Sequence, residues 1–284
     1  AFAFLANARR VGNDLDGAEE ALASAWRLWQ AGAAAPGPLA AWRLLDLEAS
    51  LRRDQRRFRA ALRLLDRVRA EAPPEAAGRI LMKRASTLEQ MGEAERAIAV
   101  LREAAPLLDQ AAELRLPWVL RFNLTTILCQ LERYGEAEAL LPEVRERSLA
   151  LGKELDQVRV TWLEGRVAAG RGRTAAALVA FEEARREFTT RELAYDAALV
   201  SLDMAALHLE QRHTAEVRAL AHELLWIFKA RAFHREALTA LRLFCQAAEK
   251  ETATVGLVRR LVDYLARARH NPRLRFEARA AAAS

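Results

Sequence analysis

The sequence contains little cysteine, glycine or proline: 2 Cys, 12 Gly and 8 Pro in 284 residues. The two cysteines, Cys129 and Cys245, lie far apart in apolar stretches. They therefore exclude a disulfide-stabilised scaffold and favour a reducing, cytoplasmic compartment. No run of eighteen apolar residues without a charge occurs. This excludes a membrane-spanning helix, and no membrane partner is expected.

Lysine is almost absent as well, since it occurs only at positions 83, 153, 229 and 250. The formal net charge of +6 thus comes from arginine, with 44 basic and 38 acidic residues interleaved along the chain. Proteins that bind nucleic acid usually concentrate basic residues on one face or in one tract, so this interleaving disfavours a nucleic-acid partner. A helical repeat that binds nucleic acid through its arginines remains the alternative function.

Motifs for catalysis, cofactors and metal ions are also missing. His208 and His213 are five residues apart and do not share a helical face, and no HExxH or paired CxxC spacing occurs. The AAGRGRT segment fits a turn between helices better than a phosphate-binding loop, because neither a strand nor a GK[ST] sequence accompanies it. Cys129 has no base near it in the sequence. We therefore expect no enzymatic activity, no cofactor and no metal ion.

What the sequence does have is three columns of mostly small residues with one shared period of about forty positions. The first column is Ala6, Ala49, Ala85, Thr125, Gly165, Ala205 and Cys245. The second is Ala18, Ala61, Ala97, Ala137, Ala177, Val217 and Leu257. The third is Ala25, Val68, Ala104, Val144, Ala184, Leu224 and Tyr264. Such a period predicts stacked helix pairs, in which small residues let the helices approach closely.

Local patterns favour helices throughout and predict an all-α fold. Apolar residues step by three and four, and the alternation typical of strands is missing. Thr174, Thr214 and Thr252 stand where the second helices of three repeats begin, so they are predicted N-caps. The tryptophans expected to pack between layers or in a cap are Trp26, Trp29, Trp42 and Trp226.

These columns resemble those of tetratricopeptide repeats. The third repeat carries the resemblance most directly, at Ala85, Gly92, Ala97, Leu101, Ala104 and Pro106. The fourth adds Tyr134, Ala137 and Leu141, and the first adds Ala6, Leu15, Ala18, Leu22 and Ala25. The period near 40 exceeds the 34 residues of the family, and Val217 and Leu257 replace the alanine of the second column. The resemblance is therefore to a long-repeat bacterial variant.

The resemblance implies a right-handed α-solenoid of about seven antiparallel hairpins over residues 1–269. The implied units lie near 1–35, 36–73, 74–112, 113–152, 153–191, 192–231 and 232–269. Residues 270–284 have no packing pattern and are expected to form a C-terminal tail.

The resemblance also implies a concave groove lined by the first helix of each repeat. Carried over to this sequence, its partner-binding residues are Asn7, Arg10, Arg43, Arg53, Arg79, Phe122, Arg159, Trp162 and Arg166. Spaced guanidinium groups can form paired hydrogen bonds with carboxylates, and the two aromatic rings can hold an apolar side chain. The partner implied is a peptide or protein, with an acidic segment suiting this lining.

The segment AFAFLANARR lacks an initiator methionine and a recognisable leader. We therefore expect the chain to be part of a longer bacterial regulatory protein, and whether an effector domain precedes residue 1 stays open. Association with that domain and homodimerisation through the N-terminal face both stay open. The function expected is a non-catalytic interaction scaffold or sensor.

Overall fold

A computed structural model describes residues 1–32, 39–109, 113–230, 235–268 and 274–276, with the backbone alone at 228–230 and 235–236. Helices account for nearly all of these residues, and no strand occurs among them, which confirms the predicted all-α helical-repeat class. The chain divides into two compact units, Ala1–Leu131 and Glu132–Ser284.

The first unit contains seven described helices and a single 3-10 turn at Pro74–Ala76. The helices are α1 (Phe2–Val11), α2 (Leu15–Ala31), α3 (Ala41–Asp54), α4 (Phe58–Glu71), α5 (Ala77–Gln90), α6 (Ala94–Asp109) and α7 (Arg115–Gln130). Helices α1 and α2, α3 and α4, and α5 and α6 pack as hairpins, and α7 packs on α6.

The second unit also contains seven described helices. They are α8 (Tyr134–Leu151), α9 (Glu154–Gly170), α10 (Thr174–Thr190), α11 (Ala194–Glu210), α12 (Thr214–Ala230), α13 (Arg235–Glu249) and α14 (Val255–Ala268). Helices α9 and α10 and helices α11 and α12 pack as hairpins, and α8 packs on α9. We call α1, α3, α5, α7, α9, α11 and α13 the A helices, because each carries one residue of the first small column.

The residues of the three columns lie at the contacts between helices, where close packing favours small side chains. Every member of the first and third columns is buried, and so is every member of the second column up to Val217. The exception is Leu257, which is only half-buried, while its neighbour Val258 is buried in its place. The second column therefore shifts by one residue in the last hairpin.

The turn after each A helix contains one residue with left-handed backbone geometry. These residues, with φ between 55° and 88°, are Asn13, Arg56, Gly92, Glu132, Gly172, Arg212 and Glu251. Only two of the seven are glycine, although the Cβ of other residues makes this conformation costly. The backbone geometry of these turns thus repeats with the helices, although the turns do not share one residue type at this position.

Replacing Arg212 by glycine is expected to raise the free energy of unfolding by about 1 kcal/mol, because the left-handed geometry costs a residue with a Cβ roughly 1–2 kcal/mol. The reverse change in the equivalent turn, Gly172→Arg, should lower it by a similar amount. Urea unfolding followed by circular dichroism measures both variants. No change in either one would contradict the left-handed turns.

The predicted threonine caps are wrong at all three positions. Thr174 and Thr214 are the first residues of α10 and α12 instead of preceding them, and Thr174 is preceded by an N-cap whose side chain makes no capping bond. In α14 the cap is Thr254 and not the predicted Thr252, since Thr254 Oγ1 accepts a hydrogen bond from the Leu257 N–H at 3.2 Å. The turn before α14 is longer than the repeat pattern indicated.

The end of the second unit departs from the regular hairpin order. Helix α14 packs extensively on α11, and α13 packs mainly on α12. Beyond α14, Leu274 and Phe276 lie against the core, and the Phe276 and Tyr264 rings meet edge to face with centroids 5.2 Å apart. The predicted lack of packing in the tail is therefore wrong at these two positions, while residues 277–284 lie outside the described chain.

No helix in the described ranges combines the length and the apolar character that crossing a bilayer requires.

Candidate functional site

Polar side chains link neighbouring A helices in the first unit, beginning with α1 and α3. Arg10 Nη1 lies 2.5 Å from Asp54 Oδ2, and Arg53 Nη2 lies 2.9 Å from the other oxygen of the same carboxylate. Asn7 Oδ1 accepts a hydrogen bond from Arg10 Nη2 at 2.9 Å. Asp54, which the sequence patterns did not single out, therefore joins two predicted groove residues, and the third, Asn7, contacts Arg10.

The next link joins α3 to α5. Lys83 Nζ donates to both oxygens of Asp46 at 2.7 Å and to Ser50 Oγ at 3.1 Å. Burial lowers the pKa of Lys83, and the Asp46 carboxylate opposes that shift. No sequence pattern predicted this contact, although Lys83 is one of only four lysines in the chain.

Glu89 continues these links toward α7. This half-buried carboxyl accepts a hydrogen bond from Gln130, and Arg53 lies near enough to act on it electrostatically. Burial raises the pKa of Glu89, and these two contacts oppose the shift. We call Arg10, Asp54, Arg53, Asp46, Lys83, Glu89 and Gln130 the polar row of the first unit.

Two exposed guanidinium groups lie beside the polar row, against one indole ring. The Arg43 guanidinium carbon is 4.9 Å from the centroid of Trp42, and that of Arg79 is 6.0 Å from it. Trp42 is buried, as predicted for a packing residue. Among the described side chains no carboxylate forms an ion pair with either arginine. Both guanidinium groups can therefore donate hydrogen bonds to a carboxylate of a partner.

Phe122 is half-buried on α7 and packs against Trp118, with ring centroids 5.3 Å apart. The guanidinium carbon of Arg115 lies 4.9 Å from the Trp118 centroid. Phe122 thus packs against one aromatic neighbour and is not fully buried.

In the second unit, Asp203 on α11 joins two of the three predicted residues. Trp162 Nε1 donates to Asp203 Oδ2 at 2.8 Å, and Arg166 Nε lies 3.9 Å from the same oxygen. Burial raises the pKa of Asp203, while Arg166 and the indole N–H oppose the shift. Arg159 instead pairs within its own helix with the buried Asp156, at 3.1 Å.

One expectation about the histidines is changed by the structure. The rings of His208 and His213 lie 5.8 Å apart because His213 follows the turn after α11, so the two residues are closer than their spacing on one helix indicated. Burial lowers the pKa of His208. His234 and His270 lie outside the residues whose structure is described.

Comparisons with known proteins show similarity of fold alone. No protein-family model and no curated protein matches the chain. The apo form of RapI is similar with a TM-score of 0.62 and 13% identity, over 92% of this chain and 97% of that one. Aspartyl phosphate phosphatase F from Bacillus subtilis gives 0.62 and 15%, over 80% of this chain and 58% of that one. A Rap protein complexed with Competence and Sporulation Factor gives 0.64 and 10%, over 95% and 86%. These similarities support the helical-repeat fold predicted from the columns.

Proposed function

We propose that this chain is a non-catalytic binding protein of the helical-repeat type, which holds a peptide or protein partner against its A helices. The polar row of the first unit is the observation that carries the proposal. It aligns donors and acceptors from α1, α3, α5 and α7 along one set of helices. A Rap protein of similar fold has been solved in complex with Competence and Sporulation Factor, which supports a partner-binding use of this fold.

The chemistry of this surface suits a peptide with at least one carboxylate. Arg43 and Arg79 are exposed. Their guanidinium groups lie against the Trp42 ring, and neither is paired with a carboxylate of the described chain. An incoming carboxylate would gain charge-assisted hydrogen bonds without first breaking an ion pair. Arg10, Arg53 and Arg166 already pair with aspartates, so we assign them the secondary role of orienting the polar groups.

The same ion pairs disfavour the nucleic-acid alternative. Binding a phosphate backbone requires many basic side chains that are not already paired with carboxylates. In both units the arginines of the A helices are largely neutralised by neighbouring carboxylates, as in the Arg10–Asp54 and Arg159–Asp156 pairs. We propose that the protein partner is bound as part of a regulatory or sensing role in a larger protein.

Charge reversal at Arg43 and Arg79 is expected to weaken peptide binding by about 10- to 100-fold, since a hydrogen bond to a charged group contributes about 1.5–3 kcal/mol. Peptides selected from a displayed library against the wild-type chain supply the probes. Fluorescence anisotropy then compares Arg43→Glu/Arg79→Glu with the wild type. Labelled single- and double-stranded oligonucleotides are titrated in parallel at low and high salt.

The matched control is Arg59→Glu/Arg63→Glu, which changes the net charge equally at two exposed arginines of α4. This control should bind the selected peptides as the wild type does. Equal losses in both double variants would contradict a site at Arg43 and Arg79. Tight oligonucleotide binding that falls steeply with salt would favour the nucleic-acid alternative instead.

A further inference from the structure

A cluster of three metal-ligating side chains lies in the second unit, apart from the groove residues predicted from the sequence. His222 comes from α12, and Cys245 and Glu249 come from α13. Taking one donor atom from each residue, the three atoms lie within 4.8 Å of one another. Among the described residues, no other group of three His, Cys, Asp or Glu side chains comes this close.

The distances within this cluster are close to those of a zinc site. Cys245 Sγ lies 3.7 Å from His222 Nδ1 and 3.9 Å from Glu249 Oε1, and His222 Nε2 lies 3.4 Å from Glu249 Oε1. With Zn–S near 2.3 Å and Zn–N or Zn–O near 2.0–2.1 Å, the ligands of a tetrahedral ion are about 3.3–3.6 Å apart. The sulfur approaches Nδ1 of His222 and the carboxylate approaches Nε2, so the exposed imidazole must also reorient for one ring nitrogen to join the sulfur and one carboxylate oxygen around an ion.

The local structure explains how the three donors meet and how an ion could reach them. Cys245 and Glu249 are four residues apart, so they lie on one face of α13. Cys245 is buried, whereas the side chains of His222 and Glu249 are 59% and 51% exposed. An ion can enter from the His222 and Glu249 side, and a solvent molecule can occupy its fourth position.

Packing alone does not require sulfur at position 245. The equivalent positions of α1, α3, α5 and α11 hold alanine, and that of α9 holds glycine. The thiol differs from them in being a strong ligand for soft and borderline metal ions. We propose that His222, Cys245 and Glu249 bind one Zn²⁺ ion, with release of the thiol proton to solvent and with water as the fourth ligand.

Cobalt(II) is the probe that tests the sulfur ligand, because its spectrum reports both thiolate coordination and tetrahedral geometry. Untagged wild-type chain should bind one equivalent of Co²⁺ with a sulfur-to-cobalt band in the near ultraviolet, and Zn²⁺ should displace it. Cys245→Ala should lose the band while staying folded, because alanine is the residue of the equivalent position in four other A helices. Cys129→Ala, at the other buried cysteine, should keep the band.

Calorimetric titration with Zn²⁺ tests the other two ligands. Loss of an outer-shell partner of a metal ligand weakens metal binding by about 10- to 100-fold. His222→Gln and Glu249→Gln remove the ligands themselves, so each should weaken Zn²⁺ binding by more than that. His213→Gln, at an exposed histidine of the same unit, should bind as the wild type does. A missing sulfur band, a band that persists in Cys245→Ala, or equal affinity in the His222 and His213 variants would overturn the proposal.

Discussion

Gly165→Val is expected to lower the free energy of unfolding of the second unit by about 3 kcal/mol, because it forces bulk into a close-packed contact. A Cβ at Gly165 would lie 2.7 Å from both Cδ1 and Cε1 of Phe181 and 3.3 Å from the Cβ of Ala180. Phe181 is fully buried between helices, so its ring cannot move away into solvent. Urea unfolding followed by far-ultraviolet circular dichroism measures the loss.

Gly135→Val is the matched control for this prediction. Gly135 is exposed near the start of α8, and a Cβ there would meet no atom within 4 Å. Its substitution should change the free energy of unfolding by no more than about 0.5 kcal/mol. Phe181→Leu in the Gly165→Val background should recover part of the loss by removing the contacting ring atoms. Equal losses at both glycines would show that backbone effects, and not the close approach of the helices, set the cost.

The Gly165–Phe181 contact belongs to the part of the fold that the sequence predicts well. Residue size along a helix is a local property, and a period of about forty that is shared by three columns indicates which positions face each other. The same inference succeeds for the buried Ala85 and Ala97 of the first unit. It fails at Leu257, because the longer turn that Thr254 caps shifts the register of α14 by one residue.

The partners of the predicted arginines could not be read from that periodicity. The Arg10–Asp54 and Trp162–Asp203 contacts join residues 44 and 41 positions apart. Which side chains meet depends on the rotation and offset between successive A helices, and a hydrophobic period does not contain either quantity. One regularity was nevertheless present, since Lys83 and Asp203 each stand two residues before the small residue of their helix.

Trp226 shows a different reason for failure. It was expected to pack between layers because large aromatic residues are usually buried. The structure leaves it 71% exposed, so this prediction is wrong. Leu224 faces the core, and a residue two positions later on a helix points about 200° away from it. Position on the helical wheel therefore outweighs residue type, and the same geometry brings Glu249 beside Cys245 on α13.

Lys83→Met is expected to destabilise the first unit by about 2 kcal/mol, because it leaves the Asp46 carboxylate without its cation. The side chains of Lys83 and Asp46 are 29% and 16% exposed, so water can replace the ammonium group only in part. Ser50 Oγ also loses a hydrogen-bond donor at 3.1 Å. Urea unfolding at neutral pH measures the effect.

The Arg69–Glu103 pair provides the control, since its closest N–O distance is the same 2.7 Å but its side chains are 51% and 48% exposed. Arg69→Met should cost no more than about 1 kcal/mol, as is typical of surface ion pairs. Asp46→Leu in the Lys83→Met background should recover most of the loss, because an apolar pair leaves no unpaired charge at this position. Similar losses for Lys83→Met and Arg69→Met would mean that Asp46 stays hydrated. The polar row would then be a solvated surface, and a partner's polar groups could bind there without displacing a structural ion pair.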